Sequence, residues 1–269
     1  MKFSRLYLVV LLLLCLTING WSQAVINFNS GGNTIGCAPS TINYTISGNI
    51  NSFTNYTLNF GDGSPLVNYT SGTLPASVSH TYTAISCGST FTNSGTSCPN
   101  AFGATLTGTN SITGQQGSWV LYPIGISQPP ISSFTVAPSP VCTNTPITFT
   151  NTSYGGSVYT PTGSPCEATC NATNSFYWQL SGPSSGSVQT GTLGNNNAYP
   201  NDWDIWTPGS NVLVMSFATP GFYTMKLFVG NPCNLSGSIS TQTFCVVAQP
   251  QPQFSVSPTT SCYPPALNV

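Results

Sequence analysis

The chain has 269 residues, of which 3% are charged, 39% are hydrophobic and 12% are aromatic, and its formal net charge is −1. Its basic residues are Lys2, Arg5 and Lys226, too few for a phosphate-binding patch, so nucleic acid is excluded as a partner. The aromatic content excludes a chain that is disordered throughout. The composition therefore favours folded domains with an uncharged polar surface.

The first 24 residues have the pattern of a signal peptide. Lys2 and Arg5 precede an apolar run at residues 6–16, which is shorter than the roughly 20 residues needed to span a bilayer. Small residues at Ser22 and Ala24 predict cleavage after Ala24. We therefore expect residues 1–24 to be removed, the product to be secreted or displayed on the cell surface, and no membrane insertion after cleavage.

Three segments of the chain repeat one pattern, at residues 28–44, 134–149 and 254–269. Each has a cysteine, an aliphatic residue at the fifth position after it and an apolar residue at the seventh, which predicts one strand with alternating faces. The cysteines are Cys37, Cys142 and Cys262, the aliphatic residues are Ile42, Ile147 and Leu267, and the apolar residues are Tyr44, Phe149 and Val269. The spacing of the cysteines, about 105 to 120 residues, indicates domain-sized repeats.

Within each repeat, apolar residues alternate with polar ones, and no segment has helical periodicity. The pattern predicts an all-β protein of two β-sandwiches of about seven strands each, at residues 25–127 and 128–248, joined by a proline-bearing linker. Residues 249–269 read as a linker and the first strand of a third repeat. Since a single strand cannot bury its apolar face, we expect further domains beyond Val269.

The first repeat resembles the PKD domains, which are immunoglobulin-like modules, in the runs YTLNFGDGSP at 56–65 and SHTY at 79–82. The second resembles them in ITFTNTS at 147–153, FYWQL at 176–180 and TPGFYTMKLFVGN at 219–231, but has Ser-Gly-Pro at 181–183 in place of Gly-Asp-Gly. The resemblance implies tandem PKD-type sandwiches, similar to those in surface proteins of Bacteroidetes that are exported by the type IX route.

The turn motif of the first repeat has a structural interpretation. Gly61 and Gly63 allow positive φ angles, and the Asp62 carboxylate is placed to accept backbone amides and hold the turn closed. His80 and Tyr82 then alternate along the next strand. In the second repeat, Trp178 is the residue we expect to fill the core.

Candidate catalytic and metal-binding groups are few. After cleavage, the only histidine is His80, and the only close pair of carboxylates is Asp202 and Asp204, so neither a hydrolase triad nor a glycosidase pair is favoured. Calcium at Asp62 or at the Asp202/Asp204 pair would need more carboxylates than the sequence places nearby. We expect no enzyme activity, no metal and no cofactor.

Cysteines in an exported protein are read first as disulfides. Cys87 and Cys98 flank an insertion in the first repeat and are predicted to pair with each other, and Cys166 with Cys170 could close a second local loop. Spacing alone does not fix this connectivity.

One segment of the second repeat, residues 195–209, combines aromatic residues with polar neighbours. Tyr199, Trp203 and Trp206, with Asp202 and Asp204 between them, are residue types that stack on sugar rings and bind their hydroxyl groups. The alternative is that one tryptophan packs against the sandwich and the rest is loop. The sequence therefore predicts a non-catalytic array that contacts extracellular protein or glycan, with an accessory carbohydrate-binding module of a polysaccharide-degrading enzyme as the second possibility.

Overall fold

The computed structural model describes residues 26–164 and 166–255. They form strands and two short 3₁₀ turns, Ile50–Ser52 and Trp203–Ile205. Within these residues no helix is long and apolar enough to cross a membrane. The predicted signal peptide at 1–24 and most of the predicted third repeat, including Cys262, lie outside the described residues.

The chain divides into two compact units. The first comprises the described residues up to Ile126 together with the segment Thr160–Ala168. The second comprises Ser127–Tyr159 and the described residues from Thr169 onward. Thr160–Ala168 thus belongs to the first unit, although a division by sequence alone places it inside the second sandwich.

The first unit is built from a three-stranded sheet, β1-β3-β6, a five-stranded sheet, β2-β10-β9-β4-β5, and a separate hairpin, β7-β8. Its strands are β1 (Ile26–Ser30), β2 (Ile35–Cys37), β3 (Ser40–Gly48), β4 (Asn55–Asn59), β5 (Val67–Thr70), β6 (Ser77–Tyr82), β7 (Thr90–Asn93), β8 (Thr96–Pro99), β9 (Phe102–Thr109) and β10 (Gln116–Ser127).

The second unit has two four-stranded sheets, β12-β14-β20-β19 and β13-β22-β21-β18, and two short strand pairs, β11-β15 and β16-β17. The tip of the β16-β17 pair is the segment that belongs to the first unit. The strands are β11 (Pro130–Ile131), β12 (Phe134–Ala137), β13 (Val141–Cys142), β14 (Ile147–Asn151), β15 (Tyr154–Gly155), β16 (Ser157–Pro161), β17 (Ala168–Ala172), β18 (Ser175–Ser181), β19 (Ser187–Thr190), β20 (Val212–Ser216), β21 (Gly221–Asn231) and β22 (Asn234–Val247).

The leading segment of each unit contributes to both sheets of its sandwich. In the first unit β1 joins one sheet and β2 the other, and in the second unit β12 and β13 are divided in the same way. Each sandwich therefore has eight strands in its two main sheets, where the sequence predicted about seven. The fold is a pair of tandem immunoglobulin-like β-sandwiches, and the predicted all-β class is confirmed.

Alternating burial along the strands produces the two cores. In β3 the residues Ile42, Tyr44 and Ile46 are buried and their neighbours are exposed, as the repeated pattern predicts. In β14 the corresponding residues, Ile147 and Phe149, are fully buried. The third occurrence of the pattern, at Leu267 and Val269, lies outside the described residues.

Trp178 fills the core of the second unit, as predicted. It is 2% exposed and packs edge-on against Phe134, with ring centroids 5.2 Å apart. Its indole nitrogen donates to the carbonyl of Ser210 at 2.9 Å, so its one polar group is satisfied inside the sandwich.

Candidate functional site

The aromatic loop at residues 195–209 lies on the outer face of the sheet β13-β22-β21-β18. Asn195 and Thr207 exchange backbone hydrogen bonds that close the loop, and its 3₁₀ turn Trp203–Ile205 contacts β18, β21 and β22. Glycines in the sheet make room for it. A Cβ at Gly230 would stand 2.7 Å from the Cβ of Trp203, and one at Gly237 would stand 2.8 Å from the Trp206 ring.

Trp206 is a packing residue, and the prediction that it contacts a ligand is wrong. It is 4% exposed, and its ring packs edge-on against Tyr177 with centroids 5.0 Å apart. Its indole nitrogen donates to the carbonyl of Tyr199 at 2.9 Å, inside the loop. The Trp206 ring and its indole N–H are therefore both engaged within the protein, and neither is available to a ligand.

The remaining predicted residues of the loop stay accessible. Tyr199 is 60% exposed, Trp203 is partly exposed, and Asp202 and Asp204 are exposed. Asn197 donates from its side chain to the carbonyl of Ile205, which orders the segment between them. The loop thus presents one exposed and one partly exposed aromatic ring beside two carboxylates.

The only histidine of the chain pairs with an aspartate that the sequence places 18 positions away. The Nε2 of His80, on β6, lies 2.7 Å from the Oδ2 of Asp62, in the turn after β4. The His80 ring stacks on Phe60 at 3.8 Å and meets Tyr82 edge-on at 4.7 Å. The sequence indicated the two residues separately and did not indicate their contact.

Asp62 also holds its own turn closed, as predicted. Its Oδ1 accepts the backbone N–H of Ser64 at 3.0 Å, and the flanking Gly61 and Gly63 have φ angles of +78° and +85°. Burial alone would raise the pKa of Asp62, but its contacts with Ser64 and His80 outweigh burial and lower the pKa below its ordinary value. The ionised carboxylate is therefore the form that the fold stabilises.

A buried pair of tyrosines lies beside the Asp62–His80 pair, in contact with it through the Tyr82 ring. The hydroxyls of Tyr44 and Tyr82 lie 2.5 Å apart, and Tyr82 is also 3.0 Å from the carbonyl of Phe60. Burial raises the pKa of Tyr44 to about 12, so the hydroxyl stays protonated at neutral pH. Asp62, His80, Tyr82 and Tyr44 thus join the turn after β4 to strands β3 and β6.

The disulfide predicted between Cys87 and Cys98 is wrong, because Cys98 pairs with Cys166. In the β7-β8 hairpin, Cys98 lies opposite Phe91 of β7, and Cys87 precedes that strand in the chain. The same bond rules out a pair between Cys166 and Cys170. Cys166 lies in the segment Thr160–Ala168, and Asn100 donates to the carbonyl of Ala168 beside it, so two contacts hold this segment on the first unit.

Six cysteines of the described residues are disulfide-bonded, and the thiols of Cys142 and Cys245 are free. The bonded ones are Cys37, Cys87, Cys98, Cys166, Cys170 and Cys233. Within the described part of the chain, no three His, Cys, Asp or Glu side chains are grouped closely enough to share a metal ion.

No family model and no curated protein sequence matches the chain. Among solved structures, an I-band fragment of titin is 12% identical, covering 84% of this chain and 66% of that one with a TM-score of 0.37. The ectodomain of mouse nectin-like molecule 4 is 8% identical, covering 86% and 66%, with a TM-score of 0.37. Three domains of the outer capsid protein Hoc of bacteriophage RB49 are 11% identical, with a TM-score of 0.27, and the match covers 84% of this chain and 59% of the Hoc fragment.

Proposed function

We propose that this chain is a non-catalytic, extracellular array of PKD-type sandwiches that holds or attaches to protein or glycan outside the cell. The observation that carries the proposal is that its ionisable side chains either pair within the fold or have no partner with which to form a catalytic group. His80 and Asp62 form a hydrogen-bonded pair, and the His80 ring packs against Phe60 and Tyr82. Both residues therefore serve the packing of the fold. The exposed Asp202 and Asp204 have no histidine or lysine within ion-pairing distance in the described residues.

Other features favour an extracellular location. Six disulfide-bonded cysteines are typical of exported proteins, which fold in oxidising compartments. The surface depends on hydroxyl and amide groups, since only 3% of the chain is charged. Such a surface gives little electrostatic attraction to ionic ligands and suits contacts with uncharged polymers.

The proposal is tested by comparing attachment with turnover in one preparation of residues 25–269. We expect the protein to be retained on surfaces coated with extracellular protein or neutral polysaccharide, and to leave chromogenic esters and glycosides unhydrolysed. Asp62→Asn should lower the melting temperature without changing retention at a temperature where the variant is folded. Hydrolysis by the native chain that Asp62→Asn or His80→Gln abolishes would overturn the proposal.

An accessory carbohydrate-binding module of a polysaccharide-degrading enzyme is the second candidate, and the exposed part of the aromatic loop favours it. Tyr199 is 60% exposed and Trp203 is partly exposed on a loop that hydrogen bonds hold in place. If the loop binds polysaccharide, Tyr199→Ala and Trp203→Ala should each weaken retention on insoluble polysaccharide. Phe222→Ala is the matched control, because Phe222 is 73% exposed and outside the loop. Equal retention of all three variants would reject the loop as a binding site.

A further inference from the structure

The first unit has an open cleft between the edges of its two sheets. One side is β1, an edge strand of its sheet, and the other is the first half of β10. The short strand β2 reaches only the far end of β10, where the N–H of Gly125 donates to the carbonyl of Thr34 at 3.0 Å. β9 pairs with the opposite edge of β10 from Gln116 to Ile124, and beside the edge that faces β1 a space of about 370 Å³ stays open.

Amide and aromatic side chains line this cleft. Asn27 and Asn29 point outward from β1, Asn93 comes from the β7-β8 hairpin, and Trp119 and Tyr122 come from β10. Trp119 packs edge-on against Phe53 at 5.4 Å, and Tyr122 packs against Phe91 at 5.3 Å, so both rings are held in place. The cleft therefore offers two positioned aromatic rings and three amide groups, supplied by three separate strands.

The polar groups of the cleft have spare hydrogen-bonding capacity. The side chains of Asn27, Asn29 and Tyr122 make no hydrogen bond within the described part of the chain. The indole nitrogens of Trp178 and Trp206 donate to backbone carbonyls, whereas that of Trp119 has no such acceptor among the described residues. A ligand in the cleft would therefore bind groups that the fold leaves available.

We propose that this cleft binds a neutral oligosaccharide. No charged residue lines it, so it selects against ionic ligands, and an asparagine amide both donates and accepts, as sugar hydroxyls do. The aromatic rings supply the apolar surface on which the faces of sugar rings pack. The inference rests on the proposed attachment function and assigns its glycan contact to the first sandwich.

An added peptide strand is the other occupant to consider, since both sides of the cleft are strand edges. A peptide that pairs with an edge is held by backbone hydrogen bonds, to which the amide side chains of Asn27, Asn29 and Asn93 would contribute little. Those three side chains converge from two elements on one space. This convergence favours a ligand with hydroxyl groups on several sides.

The experiment is a nuclear magnetic resonance titration of residues 25–269 with cellohexaose, xylohexaose, mannohexaose and maltohexaose. We expect at least one of them to shift the side-chain amide signals of Asn27 and Asn29 and the indole signal of Trp119. Replacing both asparagines by alanine should weaken the affinity for that sugar about tenfold, since it removes at least one net hydrogen bond from each position. Tyr122→Phe should have a smaller effect in the same direction.

The control is a second open cleft on the same sheet, of about 450 Å³, whose lining includes Thr109 and Gln116 and no aromatic residue. Thr109→Ala with Gln116→Ala should leave the affinity within about twofold. Binding that survives Asn27→Ala/Asn29→Ala but is lost in Trp203→Ala would overturn the cleft and leave a glycan-binding function in place at the loop.

Two further outcomes also overturn the proposal. If none of the four sugars shifts any signal, the chain has no site for them, and attachment to protein remains as the proposed function. If an uncharged extended peptide, such as one with the sequence of β12, shifts the cleft signals while the sugars do not, the cleft is a strand-addition site.

Discussion

The two sandwiches share a corresponding pair of antiparallel strands, β3-β6 in the first and β14-β20 in the second, but the side chains on these strands differ. In the first, Ile42 of β3 lies opposite His80 of β6, and in the second, Ile147 of β14 lies opposite Met215 of β20. Two positions along the strand, Tyr82 in the first corresponds to Phe217 in the second. The histidine and tyrosine of one sandwich are therefore methionine and phenylalanine in the other.

The difference extends to the neighbours of this pair. Tyr44 of the first sandwich corresponds to Phe149 of the second, since they lie opposite Val78 and Leu213. The tyrosines are joined through their hydroxyls, whereas Phe149 and Phe217 each pack against Phe244 at 5.3 Å. The same strand pairing accommodates either tyrosines or phenylalanines at these positions, provided that each buried hydroxyl has a hydrogen-bond partner. Substitutions at these positions would show how far the stability of each sandwich depends on its own set of core side chains.

The largest effect is expected from the disulfide between Cys98 and Cys166. Replacing Cys98 and Cys166 together by alanine should lower the free energy of unfolding by about 2–5 kcal/mol, because the bond joins residues 68 positions apart and restricts the unfolded chain. Urea denaturation followed by hydrogen exchange would show the loss in the first sandwich. Cys142→Ala/Cys245→Ala is the matched control, since these thiols are free. An equal loss in both double variants would contradict the assignment.

The next effect concerns the Asp62–His80 pair. Asp62→Asn removes the charge from a carboxylate that accepts bonds from both His80 and Ser64, and should lower the free energy of unfolding by about 1–3 kcal/mol at neutral pH. Asp202→Asn, an exposed site, should leave it unchanged. Thermal unfolding of both variants checks the prediction. A native melting temperature for Asp62→Asn would show that the pair contributes nothing to stability.

The smallest effect is expected from replacing the core tyrosines of the first sandwich by the phenylalanines found at the corresponding positions of the second. Tyr82→Phe copies the second sandwich and should cost about 1–2 kcal/mol, because the Tyr44 hydroxyl and the Phe60 carbonyl lose a partner. Adding Tyr44→Phe should restore part of the loss, since the unpaired hydroxyl is then removed too. Equilibrium denaturation of the two single variants and the double variant measures this coupling. Strictly additive losses would mean that the hydroxyls do not stabilise each other.

Much of this comparison could be predicted from the sequence. The alternation after Cys37 and Cys142 fixed which residues of β3 and β14 are buried, because a strand exposes its two faces in turn. The core position of Trp178 and the closed turn at Asp62 followed from residue type. These features depend on local geometry, which a linear pattern expresses directly.

Features that depend on distant contacts could not be predicted. The partner of Cys98 comes from a segment inside the sequence of the second sandwich, and no spacing rule identifies it. Trp206 reads as an exposed aromatic residue in a polar loop, and only the bare backbone at Gly230 and Gly237 shows where its ring is buried. The cleft beside Asn27 exists because β2 is short, a length that the sequence did not indicate.

The central claim is that the ionisable groups of the first sandwich serve its stability, and acid tests it most directly. Because the pKa of Asp62 is lowered in the folded state, its contribution is present above the ordinary value of 3.8 and is lost as the pH falls below it. Hydrogen exchange, corrected for the intrinsic pH dependence of the rate, should show protection falling in β3 and β6 between neutral pH and about pH 3. Protection in β14 and β20, whose pairing is apolar, should persist. Equal loss in the two strand pairs, or none in β3 and β6, would contradict the account.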